Sequence, residues 1–396
     1  MRRLASAYRE AYSGLPRTTW WVAVVALVNR SGTMVLPFLA LYLTSRRGFD
    51  AAQAGLLLGL YGLGSAGGTY LGGELCDRLG ALPLLRFSLI CSAAGFLLIS
   101  VLESPLWIGA SLLFVALLGD AARPALSTLV IAGCPRALRT RAFALLRLSI
   151  NVGMAIGPVL GGFLALVGYV WLFVVDALTC LLAAALAFSF LKTSPVAAVE
   201  AESKQPAGPG PFRDGPFLIV MLLLLVNGMI FLQMFGTLPL YWRERQGFLE
   251  NEIGLLFALN PVIIVVFEMV LVHRLANRNP VRLMGLGVIL IGLGFGLIPF
   301  GDGASFALLT VLIWTLGEML ESPQTGGFVV NRAGDHNRGR YLGVYLLTFS
   351  LALLLAPIAG TSIYQHLGPN ILWWTCGASG LLSGSLLLFL SPKLHP

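Results

Sequence analysis

The sequence predicts an all-α membrane protein of twelve transmembrane helices, arranged as two six-helix pseudo-repeats. Three observations carry this reading: the scarcity of charge, the number of apolar runs long enough to cross a bilayer, and an internal repeat at one constant offset. Of 396 residues, 57% are apolar and 11% charged, whereas a soluble chain needs about 25% charged residues to keep its surface wet. With a mean hydropathy of +0.85, much of the outer surface must face something other than water. An ordinary soluble enzyme, a disordered chain and a coiled coil are excluded. Each crossing takes about 20 residues, so twelve crossings leave short loops and no room for a sizeable soluble domain.

Hydropathy places the spans at 19–43, 52–74, 84–103, 106–131, 141–166, 168–191, 216–240, 253–273, 281–300, 304–330, 341–363 and 370–391. They are helices, because a helix satisfies its own backbone in lipid and the runs lack the two-residue alternation of a barrel strand. In the second span Gly64, Gly68 and Gly72 recur every four residues, a small-residue seam for close helix approach. Loop charge sets the orientation. With the amino terminus inside, 19 Lys and Arg fall in inside loops, tails and the adjoining span ends (Arg86, Arg141 and Arg282 among the last), against four outside, namely Arg46, Arg47, Arg243 and Arg245. Both termini are therefore expected in the cytoplasm of a plasma (bacterial inner) membrane. The net charge of +8 reads as basic cytoplasmic loops and not as a nucleic-acid surface.

The expected organisation is a cytoplasmic segment 1–18, a six-helix half 19–191, a linker 192–215, a second half 216–391 and a tail 392–396. Arg2, Arg3, Arg9 and Arg17 mark the first segment as uncleaved and interfacial, since no small-residue cleavage site follows a compact apolar run. Pro195, Pro206, Pro209 and Pro211 mark the linker as flexible. The five cysteines are scattered, with neither a disulfide framework nor metal-ligand spacing.

A shift of 199 residues superimposes the halves. It carries Leu41-Tyr42 onto Leu240-Tyr241, Gly48-Phe49 onto Gly247-Phe248, and Gly55-Leu56-Leu57 onto Gly254-Leu255-Leu256. Further along it carries Pro124 onto Pro323, Pro158 onto Pro357 and Gly161 onto Gly360. Parallel halves of this kind build transporters whose site lies at the repeat interface near the midplane.

Between the second and third spans stands Gly73-Glu74-Leu75-Cys76-Asp77-Arg78-Leu79-Gly80. It resembles the G-x-x-x-D-R-x-G signature of the major facilitator superfamily, matching at Gly73, Asp77, Arg78 and Gly80. It departs afterwards, where Ala81, Leu82 and Pro83 replace the usual basic pair. Span five carries Gly153, Gly157, Pro158, Gly161 and Gly162, similar to that family's antiporter motif. Glycines there make a flat groove for a neighbouring helix, and the proline removes a backbone donor. The resemblance implies the major facilitator fold, with spans one, four, seven and ten lining a central cavity.

Ionisable groups within spans are expensive and mark function. Arg30, Asp120 and Glu318 lie near the middles of spans one, four and ten, with Arg123 and Glu321 on the same helix faces at i+3. Two carboxylates one turn apart in low dielectric resist simultaneous ionisation, so Glu318 and Glu321 are the candidate proton carriers, with Asp120 a third candidate or the partner of Arg123 or Arg30. A structural pairing of either glutamate with Arg30 or Arg123 is the competing reading. Arg30, Arg123, Asn227, Gln233, Phe38, Phe231 and Phe235 are candidate substrate contacts. Asp176, Glu268 and Arg147 read as structural, and His273 and His366 form no metal cluster.

These features point to a proton-coupled antiporter that exports small amphiphilic compounds, similar to the twelve-helix drug:proton antiporters. Its expected partners are a small molecule, protons and membrane lipids, with no nucleic acid, and the chain is read as a monomer. No catalytic residue, metal or cofactor is expected, and the glycine run Gly62–Gly73 lacks the G-K-[ST] ending of an ATP loop. The alternatives are a proton-coupled importer of peptides, sugars or organic acids, a non-transporting sensor, or a lipid flippase.

Overall fold

The computed structural model describes residues 13–132, 134–135, 138–192, 210–275 and 277–394. Most of the amino-terminal segment and the linker, and the last two residues of the tail, lie outside the described residues. Within them every regular element is helical. The helices are α1 (Arg17–Ser31), α2 (Val35–Leu41, continued by a π turn Tyr42–Arg46), α3 (Ala51–Leu79), α4 (Ala81–Val101), α5 (Pro105–Asp120), α6 (Ala122–Ala132), α7 (Arg139–Val167) and α8 (Val170–Phe190). After the linker come α9 (Gly215–Phe231), α10 (Gln233–Glu244), α11 (Glu250–Leu275), α12 (Pro280–Gly296), α13 (Gly303–His366) and α14 (Pro369–Leu394).

Ten segments among the described residues are long and apolar enough to cross a membrane. The second and ninth expected spans coincide with α3, which is rich in glycine, and with the 17-residue α12. Side chains such as Leu98, Leu166, Leu182, Phe267 and Leu382 are exposed on these helices. An apolar outer surface of this extent belongs in lipid.

Spans one and seven are each broken near the middle. Span one stops at Ser31 and resumes at Val35, and span seven changes helix at Leu232. The offset of 199 carries the first break onto the second. After each of these spans the chain turns on a left-handed glycine, Gly48 at φ +70° and Gly247 at φ +69°, a conformation that side chains with a Cβ resist. The same backbone bond closes both turns, Phe49 N–H to Leu43 O at 3.1 Å and Phe248 N–H to Trp242 O at 3.0 Å.

The sequence suggests a loop at 331–340, whereas helical structure continues through it from Gly303 to His366. The backbone nonetheless reverses within this stretch, so that its two membrane-length parts, Gly303–Ala333 and Gly339–His366, form antiparallel legs. Trp314 meets Phe231 and Phe328 packs in the cluster of Phe217; Tyr341 then meets Phe217 again, and Ala352 and Ala356 pack with Leu232. The chain therefore doubles back between Ala333 and Gly339, where the two membrane-length segments meet.

By contact the chain forms two compact units, Met1–Val35 with Gly64–Glu200, and Leu36–Leu63 with Ala201–Pro396. Residues 36–63, which the sequence places in the first half, pack with the second unit. Gly59 lies against Ile358, and Gly62 against the Leu353 backbone. The core of the first unit includes Val25, Ala26, Leu85, Leu89, Leu146 and Ala183; that of the second includes Phe217, Met221, Met284, Val288, Val329 and Leu387.

The predicted seam on span two is a helix contact in the first unit. A Cβ on Gly64 or Gly68 would collide with the carbonyls of Leu113 and Leu117 on α5, and one on Gly72 would meet Ala121 Cα at 2.8 Å. Backbones this close gain packing that larger residues forbid.

Candidate functional site

Within the second unit, α9, α11, α12 and both legs of α13 are packed so that a cavity of about 100 Å³ opens between α9, α12 and α13. Its polar lining comes from Asn227, Glu318, Glu321, Ser322, Tyr345 and Thr348. Its apolar lining comes from Leu224, Phe231, Ile291 and Phe349, with Gly228 leaving room on α9. Glu318 and Glu321 enter together because i and i+3 share a helix face, and Glu318 stands at the middle of the leg Gly303–Ala333. The site thus collects four of the residues singled out in the sequence.

The two carboxylates have different neighbours. Asn260 on α11 donates through Nδ2 to Glu318 Oε2 at 2.7 Å and to Thr315 Oγ1 at 3.2 Å. Glu321 Oε1 accepts from the hydroxyl of Thr325 on its own helix. Asn227 is 5% exposed, and its Oδ1 has no hydrogen-bond partner among the described residues. A buried amide oxygen left without a donor is costly, and this one lies on the cavity wall.

Gln233 and Phe235 do not reach this cavity. Gln233 is 3% exposed; its Nε2 donates to Ala356 O at 2.9 Å and Met229 O at 3.1 Å, and its Oε1 accepts from Thr237. It bridges the break in span seven to the second leg of α13, and a Cβ on Gly360 would collide with its amide. Phe235 packs on Leu232, Ala352 and Ala356. Phe38 is fully buried in the core, which removes it as an open substrate contact.

The first unit gathers the other charges in two places. Arg123 Nε donates to Asp120 Oδ1 at 3.0 Å, and Ser65 on α3 donates to Oδ2 of the same carboxylate. Asp120 is 7% exposed, and of the two arginines considered as its partner it meets Arg123. Arg30 lies in the last turn of α1, just before the break, and its positive charge acts on the buried Asp176. That carboxylate accepts from the Met34 and Val35 N–H groups, which start α2. The sequence reads Asp176 as structural, and the structure gives it the task of capping the second half of a broken span. Gly32 makes the approach possible, since a Cβ there would collide with Thr179.

The span-five glycines face this break. A Cβ on Gly153 would stand 2.6 Å from Arg30 Cβ, and one on Gly157 2.9 Å from Thr33 O. Pro158, Gly161 and Gly162 are buried, and α7 runs through Pro158 without interruption. In the signature loop, Gly80 at φ +88° ends α3, and Arg78 pairs with Glu74 one turn back on the exposed face. Gly73 has open space around it, so its role is not close packing.

Asn260, Ser65 and Asp176 are the polar residues that sequence reasoning missed or underrated. Their signal was available: Asn260 interrupts the apolar run Leu255–Phe267 immediately before Pro261.

A sequence model of the Major Facilitator Superfamily matches residues 20–351, and the chain belongs to that family; it is a membrane transporter of the superfamily. It is 26% identical over 387 residues to the multidrug resistance protein MdtH of Aeromonas salmonicida (strain A449), covering 93% of this chain and 94% of that protein. It is 24% identical over 391 residues to a Na(+), Li(+), K(+)/H(+) antiporter of Planococcus maritimus, covering 90% of each. In fold it is similar to a POT family transporter crystallised with 5-aminolevulinic acid, at a TM-score of 0.84 and 18% identity over 97% of this chain and 98% of that one.

Proposed function

We propose that this chain is a proton-coupled antiporter of a bacterial inner membrane that exports small amphiphilic organic compounds by alternating access. In this reading it spans the membrane twelve times as two six-helix repeats, with both termini and the linker in the cytoplasm. The observation that carries the reading is the meeting of Glu318 and Glu321 on one cavity that also offers aromatic and aliphatic walls. A carboxylate at that depth is expensive unless it has a task, and loading and releasing a proton is the task a coupled carrier requires. Protonation of Glu318 weakens its hold on substrate and releases it outward; deprotonation toward the cytoplasm restores affinity. Asp120, engaged by Arg123 and Ser65, is a structural or secondary participant.

Import of peptides or organic acids through the same fold would call for a cation in the cavity to meet the substrate carboxylate. None of the residues lining the cavity of the second unit is Arg, Lys or His, so that wall offers a carboxylate no cation; Arg30 and Arg123, the candidates for that task, belong to the first unit. The test is transport by purified protein in proteoliposomes with an imposed pH gradient. Wild type should accumulate substrate against its gradient. Glu318→Gln, a permanent mimic of the protonated acid, should keep downhill exchange at saturating substrate and lose gradient-driven accumulation. Full gradient-driven accumulation by Glu318→Gln would move the coupling to another acid or make the protein a facilitator.

A further inference from the structure

We infer that Asp176 is a positioning residue for transport, a proton-operated latch on the break in span one: ionised, it holds the break, and protonated, it lets the two pieces of the span realign. This goes beyond the coupling proposed at Glu318 and holds whichever way substrate moves. The break lies where the chain leaves the first unit, whose first segment ends at Val35. There the N–H groups of Met34 and Val35 are accepted by the Asp176 carboxylate on α8, and Met34 N–H also reaches Gly32 O at 2.6 Å. An unbroken helix would offer these two groups the carbonyls of Arg30 and Ser31, four residues back. The Arg30 carbonyl is instead taken by Thr33 N–H at 3.1 Å. Span one therefore has two ways to satisfy the same groups, and the Asp176 side chain favours the broken one.

Charge decides between them. Bonds to an ionised carboxylate are roughly twice as strong as bonds to a neutral acceptor, so protonation weakens both at once. Among the described residues, the charged or titratable groups facing Asp176 are Arg30 on α1 and Cys180 on α8. The neighbouring α4 brings Ala93 and Phe96 to that part of α8, and α7 brings Gly153 and Gly157 to the break. The second break supplies the contrast. The 199-residue offset carries Met34 onto Gln233, whose amide spans that break by donating to Ala356 O and Met229 O. It carries Asp176 onto Thr375, whose hydroxyl bonds Ile371 O on its own helix. Of two equivalent breaks, one is spanned by an amide that pH does not alter and the other is held by an acid.

The experiment is double electron–electron resonance on the purified full-length protein in detergent, with spin labels at Ser45→Cys, beyond the break, and Val167→Cys, at the end of α7. Both positions are exposed. The native cysteines are replaced except Cys180, which is buried and lies against Asp176. Straightening a bend of about 20° over roughly 18 Å of helix moves the Ser45 label by about 6 Å. The distance should therefore shift by at least about 3 Å between alkaline and acid pH. Asp176→Asn, neutral at every pH, should hold the acid-pH distance throughout and slow initial uptake about tenfold, while Glu318→Gln should keep the shift. The pH series with Asp176 in place needs no variant that could misfold. No shift in that series, a shift that persists in Asp176→Asn, or normal uptake by Asp176→Asn overturns the latch. A shift that depends on Asp176, in a protein without gradient-driven accumulation, would sink the antiporter reading and leave the latch standing; gradient-driven accumulation with no shift would do the reverse.

Discussion

Glu318 and Glu321 share a cavity but are not equivalent residues. Glu318 is tied to another helix through Asn260, whereas Glu321 is tied to Thr325 one turn away on its own helix. A change of protonation at Glu318 therefore reaches α11, while one at Glu321 stays local. Glu321→Gln should show a weaker coupling defect than Glu318→Gln when both are assayed in the same liposomes; an equal or larger loss at Glu321 would reverse the assignment. A second residue-scale case lies at the start of α9. Asp214 caps that helix by accepting from Phe217 N–H and receives two bonds of 2.8 Å from Arg332, with a third from the Tyr341 hydroxyl. The Arg332 guanidinium holds the Asp214 carboxyl below the usual carboxylate range. A carboxyl so depressed contributes stability that is complete above its unfolded value of about 3.9 and is lost as pH falls through the lower folded value. Asp214→Asn should cost about 1 kcal/mol at neutral pH, since the pair is partly solvated. The Tm of the purified variant should also fall less steeply below pH 4 than that of wild type; parallel Tm–pH curves would show that Asp214 contributes nothing there.

At the scale of the element, the breaks in spans one and seven are held by partners from other helices. Asp176 caps the restart of span one, and Gln233 spans the change of helix in span seven. The span-five glycines matter because they lie on the first of these breaks. Gly157→Leu would push several carbon atoms into the space where a Cβ already stands 2.9 Å from Thr33 O. Such overpacking costs about 1–3 kcal/mol, enough to shift the break without preventing insertion. The variant should reach the membrane at normal levels and transport slowly, as read by quantitative immunoblot and initial uptake rate. Normal transport would reduce the motif to helix packing. Arg86 illustrates the same logic at a helix end: it donates to the carbonyls of Ala187 and Leu191 at 2.9 Å each and lies over the Phe188 ring, closing the carboxyl end of α8.

For the whole molecule, the distribution of positive charge predicts the topology. The excess of 19 Lys and Arg over four predicts that the 192–215 linker lies in the cytoplasm. A cysteine introduced at Ser203 in a cysteine-free background should resist an impermeant thiol reagent added to intact cells and react after permeabilisation. Ready labelling from outside would invert the orientation and, with it, the direction in which Glu318 is loaded. The 199-residue offset bears on the whole chain as well: it carries the turn at Gly48 onto that at Gly247, with nearly equal φ, and one break onto the other.

The sequence by itself determined the class of protein, because composition and hydropathy are sums over the chain and a bilayer admits few solutions to them. It also determined the glycine seam of α3 and the shared face of Glu318 and Glu321, since helical period is a local property. That the chain stays helical while it reverses near 331–340 escaped that reading, because polar residues at such a reversal look like those of a loop. So did the partners of the charges: Asn260 is 58 residues from Glu318, Arg332 is 118 from Asp214, and Arg86 is 101 from Ala187. Separations of that size carry no periodic signal. Which residues meet across them depends on how helices pack and where glycines let backbones approach, and that is why only the tertiary structure decided that Asn227, and not Gln233, faces the cavity.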